Sequence, residues 1–252
     1  MSVQNMQSQG GVPVTVVHRW EAPWGGVVAA SHIGLERTNQ EDRIGVSSDV
    51  LTLAVADGMG GHGNGEKAAQ SAVDAATTTG LTSPEEAVRG GLLAAHRCAN
   101  DVPYERGDDS KPGTTLVVAR IAPGDRAAWV GWAGDTRAYH YQHPGKLAAI
   151  TTEHSFYRNG PLSHCIIAGE REDAHRMDGA VRRQFASGDI LMLCTDGLSG
   201  LRRMSEGRNN RLIAKAMEDN YGSRDAMARA LVQLALDSGG HDNVTVALVR
   251  FL

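Results

Sequence analysis

The stretch that most constrains the fold runs from Leu51 to Glu66, where an apolar segment ends in an aspartate and is followed by five glycines within eight residues. The apolar segment is short and bounded by glycines, which is typical of a buried strand. Asp57 therefore lies at the end of a strand. The glycines allow the backbone to adopt positive φ angles and to approach another group closely. The sequence predicts a strand, a carboxylate and a tight loop at one place.

Three ligand-binding loops have similar glycine spacing, and the sequence fits none of them. A dinucleotide-binding loop needs a second parallel strand after the helix, but the pattern here continues into a second helix. An EF-hand loop starting at Asp57 would need oxygen ligands at Met59 and Gly61. A P-loop would need Gly-Lys-Ser/Thr where the chain has Gly65-Glu66-Lys67. The remaining interpretation is that Asp57 and the neighbouring backbone carbonyl bind a hard cation. One aspartate cannot hold a cation alone, so further ligands must come from other parts of the chain.

Composition narrows the class of protein and its partners. The 252 residues are enough for one substantial core, and a net charge of -4 argues against nucleic acid or an anionic membrane as the main partner. No segment has the roughly 18 consecutive apolar residues of a membrane span. Residues 1–10 lack the pattern of a signal peptide, so we expect a cytoplasmic protein. Cys98, Cys165 and Cys194 are an odd number and far apart, which favours reduced thiols.

The order of elements predicts the fold class. We expect a loose N-terminal arm over residues 1–24 and one domain over residues 25–252, with a loop over about 155–180. Within the domain the pattern gives strands, two helices, an antiparallel meander and further strands, two more helices and a final strand. Strands in which apolar and polar residues hardly alternate must be buried on both faces of their sheet. The prediction is an α+β fold, a four-layer α-β-β-α sandwich of two antiparallel sheets flanked by helix pairs.

Five aspartates share one placement, because each adjoins the end or start of an apolar strand: Asp42, Asp57, Asp135, Asp196 and Asp242. Any one of them alone is better explained as a turn residue, and Asp125 and Asp189 are expected to do no more than that. Together, unpaired carboxylates at buried strand ends would repel one another and be costly to desolvate. We therefore expect them to surround cations. Oxygen ligands favour Mg²⁺ or Mn²⁺ over zinc.

Six motifs occur along the chain in the order GLERTNQEDR, VADGMGGHGNGE, GTT, WAGDTRAYHY, LCTDGL and GGHDNVTV. In order and approximate spacing they resemble the bacterial form of the metal-dependent protein phosphatase type 2C family, over about Val27 to Leu252. The resemblance implies the same α-β-β-α sandwich. It also implies a serine/threonine phosphatase that uses two Mn²⁺ or Mg²⁺ ions, with a third, weaker one. Its partners would be phosphorylated proteins and serine/threonine kinases, and we expect a monomer.

The resemblance also implies roles for individual residues. Asp57 would bridge two metals, with the carbonyl of Gly58 on one of them. The remaining roles fall on matching positions: Asp196 and Asp242 on the other metal, Asp135 on the third, Glu41 and Asp42 through metal-bound waters, and Arg37 on the substrate phosphate. A water shared by two metals would attack phosphorus in line, while the metals and Arg37 neutralise the equatorial oxygens.

Two departures from the family pattern stand out. The flap region, about 155–180, looks shortened, which leaves substrate choice open. The animal enzymes place a histidine two residues after the metal aspartate as a candidate general acid, whereas this chain has Met59 there. His62 is the nearest substitute, and the alternative is a loop histidine that hydrogen-bonds the glycine backbone.

Two rival hypotheses belong to other functional classes. One is a catalytically silent phosphatase fold that binds partners or phosphoproteins. The intact Asp57, Asp196 and Asp242 argue against it, because a pseudoenzyme is expected to lose a ligand. The other is a Rossmann-type oxidoreductase, which rests on the glycines alone.

Overall fold

The structure is a computed structural model that describes residues 15–59, 64–103, 111–156, 161–169, 178–201 and 204–252. The strands are β1 (Val16–Trp20), β2 (Val27–His32), β3 (Arg43–Val46), β4 (Thr52–Ala56), β5 (Gly58–Met59), β6 (Gly113–Thr114), β7 (Leu116–Ala122), β8 (Ala127–Ala133), β9 (Arg137–Gln142), β10 (Lys146–Ala149), β11 (Ile166–Ile167), β12 (Asp178–Gln184), β13 (Ile190–Cys194) and β14 (Val244–Arg250). The helices are α1 (Asn64–Thr77), α2 (Pro84–Ala99), α3 (Asp196–Ser199), α4 (Glu206–Asp219) and α5 (Arg224–Asp237).

Two large sheets form the centre of the molecule. One has six strands in the order β1-β2-β14-β13-β9-β10, and the other has five in the order β12-β8-β7-β4-β3. A small sheet, β11-β6-β5, extends beside the glycine loop. Every strand pair among the described residues is antiparallel. The Rossmann-type alternative, which needs parallel strands, is therefore wrong.

Three buried clusters separate four layers, which confirms the predicted sandwich. The middle cluster joins the inner faces of the two sheets through residues such as Val55 and Leu193. A second cluster packs α1 and α2 on the five-stranded sheet, largely through alanines. The third packs α4 and α5 on the six-stranded sheet through larger side chains such as Met217 and Leu231. Each helix buries one apolar face against its sheet, which covers the outer surface of both sheets.

Ser83 and Ser223 each precede a helix, but only one of these serines makes a capping hydrogen bond. Ser223 caps α5 as expected, because its side chain accepts a hydrogen bond from the backbone N–H of Ala226. Ser83 precedes α2, with Pro84 at the first helical position, but its side chain makes no capping hydrogen bond. No described helix has the length and apolar character needed to cross a bilayer.

Two sequence-based expectations need correction. The loose arm over residues 1–24 is wrong for Val16–Trp20, which pair with β2 as the edge strand β1. Trp20 and Trp24 pack against the middle cluster, so this segment covers the end of the core. The loop over about 155–180 is also wrong in part. It contains β11, which pairs with β6, and the start of β12 at Asp178.

Candidate metal centre

Asp57 directly follows β4, and two threonines fix its backbone. The Asp57 carbonyl accepts hydrogen bonds from the Thr115 N–H and the Thr114 hydroxyl, both at 2.9 Å. The Asp57 N–H donates to the Thr115 hydroxyl at 3.1 Å. Both threonines are buried. They hold the backbone at the end of β4, and Asp57 lines the cleft.

The glycine loop brings the start of α1 against β5. A Cβ atom added at Gly58 would lie 2.3 Å from the Gly65 carbonyl oxygen, so a side chain there is excluded. The Gly58 N–H donates to the Glu41 carbonyl at 3.3 Å, which ties this loop to the segment before β3. His62, the candidate general acid, lies outside the described residues.

Asp42 is buried beneath the cleft and is held by hydroxyl groups. The Thr195 hydroxyl donates to its Oδ2 atom at 2.9 Å, while its Oδ1 atom is buried with no hydrogen-bond partner. Burial raises the pKa of Asp42 to about 7, although the Thr195 and Thr245 hydroxyls oppose that shift. An orphaned carboxylate oxygen in the interior is costly, and it indicates a missing polar or cationic partner.

Asp196 is the first residue of α3 and lies opposite Asp57. Its Oδ1 atom is also buried without a hydrogen-bond partner. Burial, followed by the charges of Asp135, Asp242 and Asp42, raises the pKa of Asp196 to about 8. Burial and the charges of the same neighbours, with Asp196, also raise the pKa of Asp57 well above its usual value. Mutual repulsion of this kind requires that these carboxylates lie close together.

Asp242 precedes β14 and is already engaged by two donors. Arg37 Nη2 donates to its Oδ2 atom at 2.7 Å, and the Asn243 N–H donates to its Oδ1 atom at 2.8 Å. About half of the Arg37 side chain is exposed to solvent. Arg37 therefore neutralises one of the clustered carboxylates and remains accessible from the cleft.

A cleft of about 680 Å³ joins these residues. Among its lining residues are Arg37, Glu41, Asp57, Gly58, Asp135, Asp196 and Asp242. A smaller cavity of about 230 Å³ lies beside it and shares Asp135, Asp196 and Asp242. Apart from His62, which is not described, and Asp42, which lies buried beneath the cleft, the structure places every sequence-predicted site residue at this one opening.

The donor set fits hard divalent cations. The clustered ligands are carboxylate and carbonyl oxygens, which Mg²⁺ and Mn²⁺ prefer, and two buried carboxylate oxygens have no partner. In the described ranges, however, no three His, Cys, Asp or Glu side chains already form a group that could hold a metal ion. The Arg37 guanidinium binds an Asp242 oxygen that a cation would otherwise use. Arg37 would therefore have to release that oxygen before a cation could bind it.

Several neighbouring residues also bear on the sequence predictions. Arg43 forms an ion pair with Glu66 in the first turn of α1 and donates to two backbone carbonyls, so its contacts are structural. Asp189 does more than form a turn, because it accepts a hydrogen bond at 2.6 Å from buried His140. Sequence reasoning missed Asn243, whose side chain hydrogen-bonds three backbone groups. Its position directly after Asp242 was the available signal.

Comparison with known proteins supports this arrangement. A family model described as protein phosphatase 2C matches residues 29–252. The serine/threonine protein phosphatase PstP of Mycobacterium tuberculosis is 30% identical over 237 residues, covering 87% of this chain but only 44% of PstP. The serine/threonine phosphatase stp of Listeria welshimeri is 29% identical, covering 86% of this chain and 92% of that protein.

Solved structures give the same result. The catalytic domain of PstP in complex with two manganese ions superposes with a TM-score of 0.72 at 26% identity, covering 93% of this chain and 98% of that domain. PppA, described as a key regulatory component of T6SS in Pseudomonas aeruginosa, has a TM-score of 0.73 at 27% identity, covering 90% and 97% of the two chains.

Proposed function

Because the chain belongs to the protein phosphatase 2C family, we propose that it hydrolyses phosphoserine and phosphothreonine in proteins, using Mn²⁺ or Mg²⁺. The observation that carries the proposal is the cleft in which Asp57, Asp135, Asp196 and Asp242 meet beside Arg37. Acidic side chains alone would repel a phosphate dianion. The arrangement is suited to a phosphate only when cations neutralise those carboxylates.

A solved structure of the PstP catalytic domain contains two manganese ions. From the family resemblance, Asp57 and the Gly58 carbonyl would hold one ion here, while Asp57, Asp196 and Asp242 would hold a second. Asp135 would contribute to a third. When bound, the ions would supply positive charge and a water acidic enough to attack phosphorus near neutral pH.

The protein's own residues would orient the substrate and the attacking water. Arg37 reaches into the cleft from a half-exposed position, so its guanidinium can move from Asp242 to a phosphate oxygen. Glu41 lines the cleft, with Asp42 buried beneath it, and the two would accept hydrogen bonds from water there. No residue needs to form a covalent intermediate.

The test is hydrolysis of a phosphothreonine peptide by the purified protein with Mn²⁺. We expect turnover that EDTA abolishes and that Asp57→Asn lowers by more than about 10²-fold, since even residues behind the ligands commonly contribute 10- to 100-fold. Absence of metal-dependent turnover in the wild type would contradict the proposal and favour a silent, partner-binding fold. The intact Asp57, Asp196 and Asp242 argue against that alternative, because a pseudoenzyme is expected to lose a ligand.

We propose His62 as the donor of the leaving-group proton. A serine or threonine alkoxide needs protonation, whereas nitrophenolate hardly does. His62→Ala should therefore slow a phosphothreonine peptide by roughly 10²-fold or more and affect p-nitrophenyl phosphate much less. Equal losses on both substrates would indicate damage to the loop instead.

Partners and location follow from the same proposal. We infer that the substrates are proteins phosphorylated by serine/threonine kinases, that the enzyme acts in the cytoplasm and that it is a monomer. Support comes from the mildly acidic net charge of -4 and from the three cysteines, whose odd number and wide spacing favour reduced thiols. Light scattering after gel filtration tests the monomer, and a dimer mass would contradict it.

A further inference from the structure

The segment that carries Arg37, residues 33–41, is attached to the segment before β14 through a single buried amide. The side-chain NH₂ group of Asn243 donates to the Ile33 carbonyl at 2.8 Å and to the Asn39 carbonyl at 2.9 Å. Its Oδ1 atom accepts from the Glu41 N–H at 2.8 Å. Asn243 is only 5% exposed. One side chain thus binds both ends of the loop.

The orientation of this amide is fixed by its surroundings. Backbone carbonyls can only accept hydrogen bonds and a backbone N–H can only donate, so the NH₂ group and the oxygen cannot be exchanged. Both donor hydrogens and the acceptor oxygen are used. Neither aspartate nor leucine, although similar in volume, could make the same three contacts.

Other contacts also hold the loop, some of them through its backbone. The Leu35 N–H donates to the Gly240 carbonyl at 2.6 Å, Glu36 pairs with His241 and Arg37 pairs with Asp242. The two ion pairs have side chains that are about one-third to one-half exposed, and such pairs hold a loop loosely. Arg37 must also leave Asp242 to bind a phosphate. Arg37 can do so without breaking the contacts of Asn243, and of all these contacts only those of Asn243 join both ends of the loop.

We propose that Asn243 is the positioning residue for phosphate recognition, holding the loop of residues 33–41 so that Arg37 meets the substrate phosphate. This inference rests on the proposed phosphatase function. Asn243 would act through Arg37 and Glu41 without touching the substrate. Misplacement of a binding group by about 1 Å can cost 10²-fold in rate, so the effect of releasing the loop should be large.

The first test is a double-mutant cycle on the Mn²⁺-loaded protein. Asn243→Ala should lower kcat/KM on a phosphothreonine peptide by about 10²-fold, with unchanged affinity for Mn²⁺. The combined loss in Asn243→Ala/Arg37→Ala should fall short of the product of the two single losses by more than about 2-fold, the error within which independent effects combine. A combined loss equal to that product, or no loss in Asn243→Ala, would overturn the proposal.

The second test does not depend on activity. Hydrogen exchange of the Leu35 and Glu41 amides in the Mn²⁺-loaded protein should accelerate in Asn243→Ala relative to the wild type. Val88→Ala, a truncation on the buried face of α2, serves as the matched control and should lower the melting temperature without changing exchange at the loop. Unchanged loop exchange in Asn243→Ala overturns the inference, whether or not the protein is a phosphatase. If wild type shows no turnover, the proposed function fails separately.

Asn243→Ser is the second variant if Asn243→Ala does not fold. A serine hydroxyl has one donor and is too short to reach both the Ile33 and Asn39 carbonyls, so it should accelerate loop exchange in the same way. Loop exchange like that of the wild type in Asn243→Ser would contradict the proposal.

Discussion

The two walls of the acidic cleft hold their carboxylates in different ways. On the first wall, belonging to the five-stranded sheet, Thr114 and Thr115 bind the backbone of Asp57. On the second wall, belonging to the six-stranded sheet, Asp242 is held through its side chain, by Arg37 and by the Asn243 N–H. If the proposed site binds cations, the first wall would not have to release a basic side chain, whereas on the second wall Arg37 would have to leave Asp242.

Because of this difference, we expect the two walls to play different roles. A carboxylate whose backbone is fixed needs no basic side chain to hold it, which would suit a ligand shared by two ions. A carboxylate paired with Arg37 is neutralised without metal, and the same arginine becomes available for a phosphate when the metal takes its place. We expect the first wall to determine the stability of the site and the second to respond to ligands.

Metal binding should give the largest effect on stability. At a Mn²⁺ concentration 100 times its dissociation constant, the free energy of unfolding should rise by about 2.7 kcal/mol by mass action. Because both walls would contribute ligands, the resulting shift in melting temperature should shrink in Asp57→Asn, Asp196→Asn and Asp242→Asn. Equal shifts in the wild type and in all three variants would show that these residues do not bind the metal. The proposed difference between the two walls would then be wrong.

Breaking the anchors one at a time should separate the walls in the metal-free protein. Thr115→Val leaves the N–H of Asp57 without its partner, which should lower the free energy of unfolding by about 1–3 kcal/mol. Arg37→Ala removes a half-exposed ion pair and should change it by only about 0–1 kcal/mol. Urea denaturation of both variants in EDTA measures the difference. A larger loss of unfolding free energy in Arg37→Ala than in Thr115→Val would show that the second wall contributes more to stability than the first.

The stability of the metal-free protein is also expected to depend on pH. Burial raises the pKa of Asp42 to about 7 and that of Asp196 to about 8, above the value of about 3.8 expected in the unfolded chain. The folded protein therefore retains protons that the unfolded chain releases, so its stability falls as pH rises from about 4 to about 8. Bound cations should weaken this trend by stabilising the ionised carboxylates.

Thermal melting in EDTA and in Mn²⁺, at several pH values across that window, tests this expectation. If the melting temperature of the metal-free protein instead rises steadily with pH, the pKa values of the buried carboxylates are not raised in the folded protein.

Much of the fold could be inferred from local pattern. The apolar run before Asp57, the alanine-rich α1 and the capped α5 each carry the periodicity of the element they form. The edge strand β1 could not be inferred in this way, because its place depends on hydrogen bonds to β2 and on two tryptophans that cover the core. Local sequence does not encode which edge of a sheet is available.

The sequence by itself identified the aspartates, the cation type and the family resemblance, because glycine spacing and strand-end carboxylates are local and chemically specific. Only the tertiary structure decided how those residues are held. Thr195 lies 153 positions from Asp42 and Asn243 lies 202 from Glu41. Hydroxyl and amide side chains are common throughout the sequence. Which of them contact a given carboxylate or loop depends on how the two sheets pack. A local sequence pattern cannot show contacts between residues so far apart in the chain.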